Sequence, residues 1–203
     1  MKYLLLSNYN HPKMLKEYIN KNSKVIVLTF SNYKYIENHY DELWSRFHGR
    51  EFRDVYNEYK KFGVPMKNIH ILTSKDKDEI IATCIEKADV VFLSGGNPNE
   101  FMEIANRNKG KIAKALQSKK NGIIIGSSAG AMVMCKQYYL YPYPLENTEE
   151  FEYNDGLNLL DDAVGLILVH YNEENEYMKE AINYCIEPII TIRDNEHILI
   201  TKR

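Results

Sequence analysis

The sequence predicts an α/β domain whose mainly parallel sheet is flanked by helices. Two observations predict it. Short apolar runs bounded by polar turn residues read as strands buried on both faces, and between several of them apolar residues recur at helical spacing. Alternation of the two with short links implies a parallel sheet with right-handed crossovers. A chain of 203 residues that is 44% hydrophobic buries one substantial core, so a single domain over residues 1–203 is expected.

The strand candidates, in order, are "YLLL" (3–6), "KVIVLTF" (24–30), "IHIL" (69–72), "VVFL" (90–93), "GIIIG" (122–126), "GLILVH" (165–170), "PIITI" (188–192) and "HILI" (197–200). The first helical stretch is 36–62, where Leu43, Phe47, Val55, Tyr59 and Phe62 fall near helical spacing and Gly63 and Pro65 close the segment. Further helices are expected over 77–88, 99–119 and 175–186. Residues 136–155 fit neither period. With clustered tyrosines, two prolines and several acids they read as a long ordered loop, and loops of about 20 residues inside a compact domain are usually functional when ordered.

A formal charge of −2 leaves no electrostatic footprint for nucleic acid or an anionic membrane. No stretch approaches the roughly 18 apolar residues of a membrane span. The three leucines near the amino terminus are too few for the apolar segment of a signal peptide. A cytoplasmic protein acting on small solutes or peptides is expected, and a homodimer is compatible with the sequence. Cys84, Cys135 and Cys185 are odd in number and contain no Cys-x-x-Cys, which suggests buried thiols rather than a disulfide framework or a zinc site.

The chemistry concentrates in "NGIIIGSSAGAMVM" (121–134). In an open parallel sheet, ligands bind beyond the carboxyl ends of the strands. Gly126-Ser127-Ser128-Ala129-Gly130 is a G-x-S-x-G turn at such an end, with Ser128 at its centre. Glycines remove the side chains that would collide in a sharp strand-to-helix reversal, so the Ser128 hydroxyl projects while the Ala129 N–H faces the same space. Ser127 reads as the packing residue of the turn.

A serine nucleophile needs a base and an oxyanion site. Ser94-Gly95-Gly96-Asn97 ends another strand, and its glycine pair frees a backbone N–H; the same residues also read as a Gly-rich turn capped by Asn97 or Asn99 before a helix. Of the six histidines, His11, His39 and His48 lie in polar or helical settings, and His70 and His197 lie within strands. His170 closes a strand run and therefore reaches the same sheet edge as Ser128.

The set "SGGN", "GSSAGA", "DGLNLL" and "LVHY", in that order across most of the chain, resembles the peptidase E family, the S51 serine peptidases, which also includes the cyanophycinases. The resemblance implies a class I glutamine amidotransferase-like (flavodoxin-like) three-layer sandwich with serine in place of the cysteine nucleophile. It also implies a Ser-His pair with an acidic partner, no metal or organic cofactor, and hydrolysis of the bond after an amino-terminal aspartate in small peptides. Carried over, the nucleophile is Ser128, the base His170, the oxyanion donors Gly96 and Ala129, and Asn97 lines the substrate pocket. The acid is expected between nucleophile and histidine, where Glu146, Glu149, Glu150, Glu152 and Asp155 qualify and Glu146 is nearest by count.

Two departures bear on substrate. Pro98 and Asn99 follow Gly-Gly-Asn where the family commonly has Thr and an aromatic residue. The segment after the histidine, "HYNEENEYMKEAI", is short, acidic and lacks the arginine that meets the substrate aspartate in peptidase E. A buried carboxylate needs a compensating charge, so aspartyl specificity is disfavoured and a neutral or basic side chain fits better, although the acids also read as a solvated helix start. The same shell is compatible with a catalytically silent metabolite-binding protein or with an amidase or esterase acting on a non-peptide substrate.

Overall fold

The computed structural model describes residues 1–8, 10–45, 49–140, 152–160, 164–185 and 187–202. Each of the eight apolar runs contains a strand: β1 (Lys2–Leu6), β2 (Val25–Leu28), β3 (Ile69–Leu72), β4 (Val90–Leu93), β5 (Ile123–Ser127), β8 (Leu166–Val169), β9 (Ile189–Ile192) and β10 (His197–Thr201). Six of them form one sheet in the order β10-β1-β5-β4-β2-β3. Within it only β10 runs antiparallel, against β1. β8 and β9 pair in parallel as a separate two-stranded sheet.

Alternation along the strands divides the core into two halves. Leu4, Leu6, Val25, Val27, Val90, Phe92, Ile123 and Ile125 face one way and pack with Ile36 and Leu43 of α1 (Tyr33–Leu43) and Phe52, Val55 and Tyr59 of α2 (Arg50–Lys60). Tyr3, Leu5, Ile26, Leu28, Val91, Leu93 and Ile124 face the other way. They meet Ile81 and Ile85 of α3 (Asp78–Lys87), and Phe101, Ile104, Ile112 and Leu116 of α4 (Pro98–Ser118). Continuous apolar strands are therefore the sequence of a sheet covered on both faces, the centre of a three-layer sandwich.

The expected helix over 36–62 is two helices. Trp44 ends α1, and a Cβ on Gly49 would lie 2.5 Å from the Leu43 carbonyl oxygen, so the chain folds back on itself there. A straight helix of that length would run about 40 Å, well past the core it has to cover, whereas two shorter helices both bury their apolar stripes on one sheet face.

The expected loop over 136–155 also needs correction. Its ends form an antiparallel pair, β6 (Gln137–Leu140) and β7 (Glu152–Asp155), with Tyr138 opposite Asn154 and Tyr139 opposite Tyr153. Tyr138 and Tyr139 are buried, and aromatic residues favour a pleated surface, so the tyrosine cluster expected in an ordered loop is in part a strand.

α4 is interrupted at Arg107–Gly110, where Asn108, Lys109 and Gly110 all have positive φ. The break aims Arg107 at buried Asp78, 2.5 Å away, and at the carbonyls of Ser74 and Asp76. The Asn108 amide donates to the same carboxylate. Of the thiols only Cys135 is buried, with its pKa pushed up to about 12 chiefly by burial, while Cys84 and Cys185 are half-buried. Among the described residues no helix is long and apolar enough to cross a membrane.

Candidate active site

The register sets Leu6 beside Ser127 and Leu93 beside Gly126, so β1, β4 and β5 end together. The chain leaves β5 through Ser128, whose φ of 49° and ψ of −117° are far from ordinary backbone for a side-chain-bearing residue. Such strain costs roughly 1–3 kcal/mol and persists only when the surroundings impose it. Here they do. A Cβ on Gly126 would lie 2.4 Å from the Gly130 carbonyl oxygen, and one on Gly130 would lie 2.2 Å from that of Leu93. The Ser128 N–H donates to Leu6 and its carbonyl accepts from Ala131 and Met132, opening the short helix α5 (Ala129–Met132). Ser127 is buried in the turn, as its packing role requires.

His170 follows β8 with a φ of 52°. Its Nε2 lies 3.0 Å from the Ser128 Oγ, and its Nδ1 lies 2.6 Å from Asp194 Oδ1. Asp194 belongs to the turn between β9 and β10, so a residue beyond the end of another strand completes the line Ser128, His170, Asp194. The hydrogen bond from His170, followed by one from Ser7, holds the Asp194 carboxyl below the usual carboxylate range, against a weaker opposing effect of burial. Nδ1 thus faces an anion, which favours the tautomer that leaves the Nε2 lone pair toward the serine hydroxyl.

Glu146, Glu149 and Glu150, the nearer candidates for the acid, lie outside the described residues. Glu152 is engaged by the side-chain amides of Asn99 and Asn154. The carboxylate on His170 is Asp194, which lies beyond the histidine in the chain and not, as expected, between it and Ser128. Asp194 stands just beyond the carboxyl end of β9, and the parallel pairing of β9 with β8 sets it beside the residue that follows β8.

The second glycine turn lies against the first. A Cβ on Gly95 would touch Ser128 Cβ at 3.3 Å, and Gly96 adopts a φ of 133°, a conformation that favours glycine. Ser31 secures this turn: its hydroxyl donates to the Ser94 carbonyl at 2.8 Å, and its backbone carbonyl accepts from the Asn97 N–H at 2.6 Å. Among the described residues no hydrogen bond engages the N–H of Gly96 or of Ala129. A recess of about 130 Å³, lined among others by Asn32, Tyr35, Trp44, Arg50 and Gly95, opens beside the turn. A larger cavity of about 490 Å³ lies elsewhere, around β3 and α3, and includes none of these groups.

Asn97 caps α4, its side-chain oxygen accepting from the N–H groups of Asn99 and Glu100. Asn99 in turn accepts from the Tyr138 hydroxyl at 2.7 Å, so the β6–β7 pair is docked on the first turn of α4. Burial pushes the Tyr138 phenol up to about 12, keeping it a donor. On the other side, Arg193 forms an ion pair with Glu173, three residues beyond the histidine. Among the described residues no three His, Cys, Asp or Glu side chains converge as a metal ion requires.

The model of peptidase family S51 matches residues 47–203. Among solved structures, the fold superposes on a peptidase from an acI-B1 actinobacterium with a TM-score of 0.72 at 13% identity, covering 98% of this chain and 82% of that one. It also superposes on a protein of Listeria monocytogenes EGD-e assigned as a peptidase E, with a TM-score of 0.66 at 18% identity, covering 100% of this chain and 98% of that one. No curated protein matches the sequence.

Proposed function

The chain belongs to peptidase family S51, and from that premise we propose that it is a serine peptidase of dipeptidase or aminopeptidase type, cleaving small peptides with Ser128 as nucleophile. The observation that carries this reading is the unbroken hydrogen-bond line from Ser128 Oγ through both ring nitrogens of His170 to Asp194, at 3.0 and 2.6 Å.

In this reading His170 Nε2 takes the proton of Ser128 as Oγ attacks the peptide carbonyl. The imidazolium is stabilised by Asp194, and the N–H groups of Gly96 and Ala129 receive the developing oxyanion. His170 then protonates the leaving amine, and the amino-terminal fragment stays esterified to Ser128. Water, deprotonated by the same imidazole, attacks the ester and returns Ser128 its hydrogen. Preorganised donors of this kind are each worth about 100- to 1000-fold in rate.

An uncharged substrate side chain fits better than an aspartate. Two cations among the described residues lie around this site: Arg193 is paired with Glu173, and Arg50, which lines the recess beside the Gly95 turn, with Glu51. For the free amine of a small peptide a carboxylate is needed, and Glu152 is tied through Asn99 to the start of α4, close in sequence to the Gly96 turn.

The test combines a fluorophosphonate probe with a panel of aminoacyl-p-nitroanilides and simple esters. Stoichiometric labelling at Ser128, lost in Ser128→Ala, with turnover of the anilides, supports the reading. An unlabelled Ser128 makes the protein a silent binder of the same fold, and turnover of esters alone makes it an esterase.

A further inference from the structure

Ser7 lies just beyond β1, the strand between β5 and β10, and is completely buried. Its hydroxyl has three neighbours, all belonging to the residues just described. It donates to Asp194 Oδ1 at 2.9 Å, accepts from the backbone N–H of His170 at 2.9 Å, and lies 3.1 Å from His170 Nδ1. A hydroxyl has one hydrogen and two lone pairs. With that hydrogen on Asp194, both groups facing Nδ1 are acceptors, and Nδ1 has to carry the ring hydrogen.

Asp194 alone is a poor anchor for that ring. Its side chain is 66% exposed, and exposed ion pairs hold geometry weakly because water and salt compete. The remaining pair near this turn, Arg193 with Glu173, is exposed on both sides as well. Glu196 is occupied by the Arg193 N–H. Ser7 is the buried member of the group, and it also receives the N–H of a residue held at positive φ.

We propose that Ser7 is a positioning residue of this site: its buried hydroxyl clamps Asp194 and the His170 backbone together and fixes the Nδ1–H tautomer. The proposal rests on the reading of Ser128, His170 and Asp194 as a peptidase site. Ser7 does not touch substrate; it acts through the imidazole.

The test is Ser7→Ala beside Ser7→Thr, which keeps the hydroxyl. Ser7→Ala lowers kcat by roughly 10- to 100-fold, the loss typical when the outer partner of a functional imidazole is removed, and leaves KM within about twofold. In the same variant the strongly downfield Nδ1–H proton resonance of His170 disappears while the amide spectrum of the sheet persists, and Ser7→Thr restores both. Wild-type kcat together with an unchanged resonance in Ser7→Ala overturns the proposal. If Ser7→Ala yields no folded protein, Ser7→Cys, similar in size but a weak donor, is read by the same resonance: its loss upholds the clamp and its retention at the wild-type position overturns it. Should Ser128 prove unreactive, the peptidase reading falls, while the resonance still decides the role of Ser7.

Discussion

The Nε2 of His170 stands 3.0 Å from the Oγ of Ser128 although the two residues follow strands of different sheets. The contact exists because Ile167 and Val169 of β8 share one core with Ala131, Val133 and Met134 just after the Ser128 turn. Both side chains are thereby delivered by packed elements, and each is held at a positive φ. Functional groups on rigid supports keep a productive geometry that loops alone do not.

Asp194→Asn lowers kcat by about four orders of magnitude, with little change in KM. The variant keeps the size of the side chain, but its amide can donate to Nδ1, which stabilises the tautomer with hydrogen on Nε2 and removes the base from Ser128. Steady-state kinetics on a cleaved anilide check this, and a loss smaller than about tenfold contradicts the assigned role.

Ser128 and His170 were legible because each ends a buried apolar run, but they do not share a sheet edge as expected: β8 stands in its own two-stranded sheet, and packing against the residues after Ser128 brings the imidazole to the hydroxyl. Asp194 was not legible, since "RDNE" reads as a polar turn, and polar turns are common on any surface; only the pairing of β9 with β8 brings it under the imidazole. Glu146, the nearest acid by count, lies outside the described residues. The split of 36–62 was hidden because helical spacing persists on both sides of Gly49, although the close approach of Gly49 to the Leu43 carbonyl is a local contact. Ser7 looked like the polar end of a strand, and its bonds span 163 and 187 residues of chain.

Gly130→Ala destabilises the fold by at least about 3 kcal/mol, the upper range of overpacking, because the added methyl meets the backbone of β4 rather than a movable side chain. The Leu93 carbonyl oxygen would be 2.2 Å from it. Denaturant unfolding gives the value, and the same variant loses Ser128 labelling, since relief requires the elbow to shift.

Arg107→Leu strands the Asp78 carboxylate, whose side chain is only 2% exposed. Removing one partner of a buried pair costs about 3 kcal/mol or more, and the lower end applies because Asn108 still donates to the same group. The double variant Arg107→Leu with Asp78→Asn recovers part of the loss in a thermal-unfolding cycle. No recovery would show that Arg107 acts through the Ser74 and Asp76 carbonyls instead.

Asn97→Ala costs about 1 kcal/mol through loss of the α4 cap, whereas Asn97→Asp retains stability because a carboxylate caps equally well. Activity separates the cap from the expected place in the substrate pocket. If Asn97 serves only as a cap, Asn97→Asp keeps KM; a raised KM in Asn97→Asp at wild-type stability assigns it a substrate contact.

Acid acts on this site in a defined order. The His170 and Ser7 hydrogen bonds hold Asp194 below its ordinary carboxylate pKa of 3.8. A depressed folded pKa means that its contribution is fully present above the unfolded value and is lost only as pH falls through the lower, folded one. Between neutrality and pH about 4 the Asp194 carboxylate therefore keeps its contact with His170 Nδ1, and activity lost in that interval is not due to protonation of Asp194. The Nδ1–H resonance of His170 persists across that interval and disappears only below it. Its disappearance above pH about 5 in a folded protein would mean that Asp194 does not hold the ring.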